Sequence, residues 1–216
     1  MTVTHYEVRL CPNCGLRYPL TEGHPFGVRC PSCLEMTQVT LEREISALPI
    51  TKNRSARGDS ILFALLENLR SAWNVGSIFR TSEGLGVRKL YLCGITPTPE
   101  NEAVRKTSLG AETSLDWEYT RNALDLAQKL KVDGHYLIAL EQDERAVSIT
   151  TAQFPLSSFK MPVLIVGNEV TGVDPEILDL CDLILYIPMQ GKKHSFNVEV
   201  AFAITAFQLL NWQLQE

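Results

Sequence analysis

The chain has 216 residues, an apolar fraction of 45% and a formal net charge of −5. That length holds one medium domain, or a domain with a small module, and the acidic balance excludes a protein that coats nucleic acid by bulk charge. Met1–Glu7 has neither a basic nor an apolar leader segment, and the longest apolar runs, such as Met161–Val166 and Val200–Thr205, are far too short to span a bilayer. A cytoplasmic protein with no membrane partner is therefore expected.

The first chemistry along the chain is Cys11-x2-Cys14 and Cys30-x2-Cys33, with fifteen residues between the pairs. Two residues between thiolates let a tight turn aim both sulfurs at one ion, and two such knuckles complete a tetrahedron. Pro12, Gly15, Pro31 and Ser32 suit those turns. Two disulfides are the competing reading, but no secretion signal accompanies the pattern. The expectation is a structural zinc held by Cys11, Cys14, Cys30 and Cys33 in a zinc-ribbon-like module over residues 1–45, with metal binding supplying much of its folding free energy. The remaining cysteines, Cys93 and Cys181, sit in apolar stretches and read as small core residues. Residues 46–59 contain Pro49, Lys52, Arg54, Arg57 and Gly58 and read as a linker.

From residue 60 to 216 the pattern alternates strand-like and helix-like runs. Ile61–Leu66 is a strand. Val75, Ile78, Phe79, Ser82 and Leu85 recur at helical spacing. Lys89–Cys93 is a second strand, and Arg121–Leu130 a helix. Tyr136–Leu140, Val163–Val166 and Leu183–Ile187 are further strands. Asp174-Pro175 reads as an N-cap with proline at the first helical position, opening a helix to Leu180. Val198–Trp212 is a closing helix with Phe202, Thr205, Ala206 and Leu209 in register. Near-continuous apolar strands alternating with helices indicate an α/β domain with a parallel sheet covered on both faces.

Polar blocks stand where strands end. The first runs from Asn68 through Asn74 and Gly76 to Arg80. The second is Gly167-Asn168-Glu169-Val-Thr-Gly172. The third is Ile187-Pro188-Met189-Gln-Gly191 with Ser195-Phe196-Asn197-Val198. Parallel sheets bind ligands beyond the carboxyl ends of their strands, so these blocks predict a single assembled pocket. No Gly-x-Gly-x-x-Gly or Walker pattern is present, which argues against a dinucleotide or nucleoside triphosphate site.

Taken together, the blocks resemble the SpoU group of RNA ribose methyltransferases in the SPOUT superfamily. Asn68, Asn74, Gly76 and Arg80 match the family's first motif, and Gly167-Asn168-Glu169 its second. Ile187-Pro188-Met189 and Ser195-x-Asn197-Val198 match its third, with Phe196 where leucine is usual. Lys106-Thr-Ser-Leu-Gly110-Ala111 is similar to another family segment. The resemblance implies a C-terminal trefoil knot, a homodimer, S-adenosylmethionine as cofactor and methyl transfer to a ribose 2′-hydroxyl of structured RNA, with tRNA favoured over rRNA. Two other readings are a non-catalytic RNA-binding protein that keeps the fold, and a zinc-ribbon nucleic-acid adaptor.

The site residues follow from motif and chemistry together. Arg80 is the central residue. A guanidinium is effectively always protonated, so its expected role is to clamp a phosphate and stabilise the developing alkoxide rather than to act as base. Asn74 caps the first helix or contacts RNA, and Glu169 orders the loop by accepting backbone N–H bonds or binds the substrate, the ordering role being favoured. Ser195 and Asn197 open the last helix and, by resemblance, line the cofactor and ribose site. Leu140, Gly167, Ile187 and Met189 would hold the adenosine mainly through backbone groups, under apolar cover from Phe196. Lys192-Lys193-His194 reads as a flexible basic loop. The closing helix offers Phe202, Leu209 and Trp212 as surplus apolar surface for a two-fold contact.

Overall fold

The computed structural model describes residues 5–21, 23–25, 27–44, 62–152 and 161–212. The chain forms two compact units, Met1–Arg57 and Gly58–Glu216; the expected linker at 46–59 lies outside the described residues.

In the first unit, β1 (His5–Leu10) is the central strand of an antiparallel sheet, flanked by β2 (Arg17–Thr21) and β3 (Gln38–Glu44). Little apolar area is buried there: among the described residues of this unit the buried hydrophobic ones are Cys11, Leu20 and Cys30. The cysteine knuckles take the place of a core. In each, the first cysteine's carbonyl accepts a bond from the residue four positions on, Gly15 N at 2.9 Å and Leu34 N at 2.9 Å. That residue is left-handed in both, with φ of +75° at Gly15 and +63° at Leu34. Glycine adopts this conformation freely, whereas Leu34 is strained there.

The second unit is an all-parallel seven-stranded sheet in the order β6-β5-β4-β9-β7-β10-β8. Its strands are β4 (Phe63–Glu67), β5 (Lys89–Cys93), β6 (Asp116–Thr120), β7 (Tyr136–Leu140), β8 (Val147–Ser148), β9 (Pro162–Val166) and β10 (Leu183–Tyr186). The helices are α1 (Ala72–Leu85), α2 (Glu102–Ser108), α3 (Ala123–Val132), α4 (Pro175–Leu180) and α5 (Val198–Trp212). Period-2 alternation divides the side chains between two cores. Ala64 and Leu66 of β4 join Ile78, Phe79, Phe202 and Leu209 on the α1/α5 face. Phe63 and Leu65 join Leu126, Leu130, Ile177 and Leu178 on the α3/α4 face. The helices expected at 75–85, 175–180 and 198–212 all form, and Asp174 caps α4 by accepting from Glu176 N. Strand β6 and helix α2 were not read from the sequence. Strand β6 is polar and half-exposed, and α2 spans only Glu102–Ser108, so neither carries a strong period. Helix α2 lies against α1 at Gly76, where an added Cβ would stand 1.9 Å from Thr107 Oγ1 and 2.4 Å from the Val104 carbonyl oxygen. No helix among the described residues is long and apolar enough to cross a membrane.

One expectation about the surface is corrected. Phe202 and Leu209 are buried, at 0% and 3% exposure, and complete the core rather than offer a contact. The exposed apolar stripe of α5 is instead Val200, Ile204 and Phe207, at 39%, 39% and 57% exposure. Their i, i+4, i+7 spacing puts them on one face. Sequence could not choose between the two faces because α5 is apolar all round.

Candidate active site and metal centre

Strands β9, β7 and β10 are neighbours, and their carboxyl ends open into one cleft of about 490 Å³. Leu140, Gly167, Ile187, Met189, Ser195 and Phe196 all line it, and so do Asn74, Glu169 and Asn197. Gly167 closes its floor. A Cβ there would meet Gly172 C at 2.3 Å, Gly172 O at 2.4 Å and Val173 N at 2.4 Å. That close approach is possible because Asn168 and Gly172 exchange backbone bonds of 3.0 and 2.9 Å, with Gly172 left-handed at φ +73°.

Glu169 joins the second block to the first. Its Oε2 accepts from Arg70 N at 2.9 Å, and its Oε1 from Ser71 N and Asn74 Nδ2 at 3.2 Å each. Burial alone would raise its pKa, but the bonds from Arg70, Ser71 and Asn74 outweigh it and hold the carboxyl below its ordinary value. An ionised Glu169 at the start of α1 also complements the helix dipole. Glu169 thus accepts backbone N–H bonds from the loop that precedes α1. Asn74 does not cap α1; Ser71 does, accepting from Asn74 N at 3.3 Å. The Asn74 side chain instead spans two blocks, bonded to Glu169 and accepting from Asn197 Nδ2 at 3.2 Å. Asn197 caps α5 through Oδ1, which accepts from Glu199 N at 2.9 Å. Ser195 stands two residues earlier, on the cleft wall rather than at the cap.

The motif residue Asn68 and three residues not picked out from sequence, Glu67, Glu141 and Gln142, complete the site. Asn68, with φ +53°, accepts from Ile95 N at 3.1 Å through Oδ1 and from Asn168 Nδ2 at 2.7 Å through its carbonyl. It thereby ties the loops after β4, β5 and β9 together. Glu67 is buried at 4% exposure and accepts from Asp174 N at 3.0 Å; burial pushes its pKa up. Glu141 accepts from Val173 N at 3.0 Å and lines the cleft. Gln142 Nε2 donates to the His194 carbonyl, which anchors the basic loop beside the cleft. The available signal was an acid or amide directly after an apolar strand, as in Glu67-Asn68 and Glu141-Gln142.

Arg80 stands apart from the cleft. It is exposed and lines a separate, shallow cavity with Ser77, Thr81, Lys106, Thr107, Leu109 and Glu199. Asn74 and Arg80 lie on the same helix, about 9 Å apart along its axis at 1.5 Å per residue. Cys93 and Cys181 are packed in apolar surroundings, and burial pushes each thiol up to about 12, so neither is a nucleophile at neutral pH.

In the first unit the sulfurs of Cys11, Cys14, Cys30 and Cys33 lie within 4.8 Å of one another. Cys11 Sγ is 3.4 Å from Cys33 Sγ, and Cys14 Sγ 3.6 Å from Cys30 Sγ. A tetrahedron with metal–sulfur bonds of about 2.3 Å separates its sulfurs by about 3.8 Å, so the four thiols fit one zinc-sized ion.

A parallel sheet with a glycine-floored cleft of mixed apolar and polar lining beyond its strand ends is the form of a ligand-binding α/β domain. The chain belongs to the SpoU rRNA Methylase family, whose model matches residues 61–207, and is by class an RNA 2′-O-methyltransferase. It is 28% identical over 176 residues to the tRNA (guanosine(18)-2′-O)-methyltransferase of Aquifex aeolicus, covering 80% of this chain and 78% of that one. It is 29% identical over 193 residues to the 23S rRNA (guanosine(2553)-2′-O)-methyltransferase of Bacillus subtilis, covering 85% and 73%. The AdoMet-bound rRNA methyltransferase of Sinorhizobium meliloti shares the fold, with a TM-score of 0.65 at 22% identity over 74% of this chain; the match spans 59% of that structure's chain.

Proposed function

We propose that this protein transfers a methyl group from S-adenosylmethionine to a ribose 2′-hydroxyl of tRNA. The carrying observation is the convergence of Asn74, Glu169 and Asn197 with Leu140, Gly167, Ile187, Met189, Ser195 and Phe196 around one cleft. The cleft falls within the usual range for a ligand of cofactor size. Gly167 and Gly172 leave backbone, not side chains, at its floor, which suits recognition of an adenosine by fixed main-chain groups. Bound S-adenosylmethionine supplies an activated methyl carbon, so the protein has to position the oxygen and ease loss of its proton. Asn74 and Asn197, bonded to each other, present the amide groups nearest that reaction. Arg80 neutralises a phosphate and the charge that develops at the oxygen. The trefoil knot implied by the family belongs to the same reading. Named relatives include tRNA and 23S rRNA enzymes, and the tRNA assignment is tested by mapping 2′-O-methyl positions in both RNAs from cells with and without the gene. A methyl mark lost from rRNA alone overturns it.

The cysteine cluster is proposed as a structural zinc site, with four ligands and no open position. One zinc per chain is expected in freshly purified protein. Cys11→Ser or Cys30→Ser should release it and loosen the first unit while the second stays folded. Metal analysis and proteolysis of the two variants read both effects, and purified protein free of zinc rejects the site.

The homodimer is proposed on the Val200, Ile204 and Phe207 stripe. Phe207→Glu should give a monomer by light scattering, because a two-fold contact places the introduced charge at the interface in both subunits. A wild-type monomer at working concentration rejects the dimer.

A further inference from the structure

Strand β7 lies between β9 and β10 in the sheet, so the residues that follow it stand between the loops on the two sides of the cleft. Those residues are Glu141 and Gln142, and both line the cleft. Glu141 N donates to the Leu185 carbonyl of β10 at 2.9 Å, which fixes where its side chain starts. The Glu141 carboxylate takes two backbone donors. Its Oε2 accepts from Val173 N at 3.0 Å and its Oε1 from Gln142 N at 2.8 Å. Val173 is buried and belongs to the turn that floors the cleft after β9. Gly172 makes room for the carboxylate, since a Cβ there would stand 2.2 Å from Glu141 Oε2. On the other side, Gln142 Nε2 donates to the carbonyl of His194, 52 residues away. His194 ends the exposed Lys192-Lys193-His194 loop and directly precedes Ser195 and Phe196 of the cleft wall.

We infer that Glu141 and Gln142 are positioning residues for the cofactor, one side chain holding each side of the cleft. Deepening the proposed function, it rests on that reading. The two residue types match what each loop offers. A carboxylate only accepts, and the turn presents an N–H; an amide also donates, and the loop presents a carbonyl. Neither side chain has to touch S-adenosylmethionine to act. A site gains affinity when its walls are held in the bound arrangement beforehand, because ordering a loop then no longer opposes association. The two sides differ in how firmly they are otherwise held. The turn is also tied by the Asn168–Gly172 bonds and by Glu67, which accepts from Asp174 N at 3.0 Å. Residues 191–194 are exposed throughout, and among the described residues Gln142 supplies the hydrogen bond that ties them to the rest of the domain. A segment with so few bonds opens locally at small cost and is where proteases cut.

The test uses the full chain, calorimetry with S-adenosylmethionine, and limited trypsin digestion, which reads the exposed Lys192 and Lys193. Glu141→Ala should weaken cofactor binding between about tenfold and about a hundredfold, the usual worth of a hydrogen bond to a charged acceptor. Glu141→Gln should recover most of that loss, because an amide oxygen can still accept from Val173 N. Gln142→Ala should weaken binding about twofold to about tenfold and speed cleavage after Lys192 and Lys193. Saturating S-adenosylmethionine should restore the wild-type cleavage rate. Gln142 is exposed, so this variant keeps its fold. A wild type that binds no S-adenosylmethionine overturns the methyltransferase reading and this inference with it. Wild-type affinity in both Glu141→Ala and Gln142→Ala overturns this inference alone. Weaker binding in Gln142→Ala without faster cleavage, or an equal loss in Glu141→Gln and Glu141→Ala, assigns the side chain to direct cofactor contact and overturns positioning too.

Discussion

Arg80→Ala is expected to abolish methyl transfer while leaving affinity for S-adenosylmethionine within about twofold of wild type. Arg80 lines its own cavity with Lys106 and contributes nothing to the wall of the cleft where the cofactor is proposed to sit. Its loss should therefore spare the cofactor wall, and on the proposed role it removes a phosphate contact with the RNA and the charge stabilisation that Arg80 would lend the reacting oxygen. Removing one such transition-state donor costs on the order of 10²–10³ in rate. Arg80→Lys should recover little of it, because an ammonium cannot reproduce the planar fork that grips a phosphate through two bonds. The decisive pair of measurements is single-turnover methyl transfer beside calorimetric cofactor affinity in the same variants. Near-normal turnover in Arg80→Ala would make this an ordinary surface arginine.

Gly167→Ala should have the opposite signature, with cofactor affinity lost first. The new methyl would lie 2.3 Å from Gly172 C and 2.4 Å from both Gly172 O and Val173 N. These are backbone atoms of a turn closed by the Asn168–Gly172 bonds, and they have no rotamer in which to escape. Overpacking of this kind costs about 1–3 kcal/mol. The strain falls on a cleft loop rather than on the core, so most of it should appear as a ten- to hundredfold weaker cofactor affinity. The melting temperature should fall by about 2–4 °C for each kcal/mol that the fold itself absorbs. Calorimetric titration with S-adenosylmethionine separates the two. Unchanged affinity in a folded Gly167→Ala protein would place the cofactor elsewhere.

The contrast between these variants shows what could be read before folding and what could not. The second and third blocks were legible as a site because glycines and amides directly follow the apolar runs Val163–Val166 and Leu183–Ile187, where a parallel sheet leaves its ligand crevice. Their partner residues were less visible. Glu67 and Glu141 also follow strands, but their value lies in bonds to Asp174 and Val173, which are distant along the chain. Strand β6 was missed because its pairing with β5 decides its state, not its own composition.

The sequence by itself determined the parallel α/β class, the four-cysteine knuckles, the capped helix after Asp174 and the residues that gather at the strand ends. Each is set by local physics: apolar runs of strand length, ligand spacing, capping chemistry and helical period. Only the tertiary structure decided that Asn74 bridges Glu169 and Asn197 while Ser71 caps its helix, that Arg80 belongs to a second cavity, and that Val200, Ile204 and Phe207, rather than Phe202 and Leu209, form the exposed face of α5. Those choices depend on which groups meet across a hundred residues of chain and on which side of an apolar helix finds the sheet. A period measured along one segment contains neither.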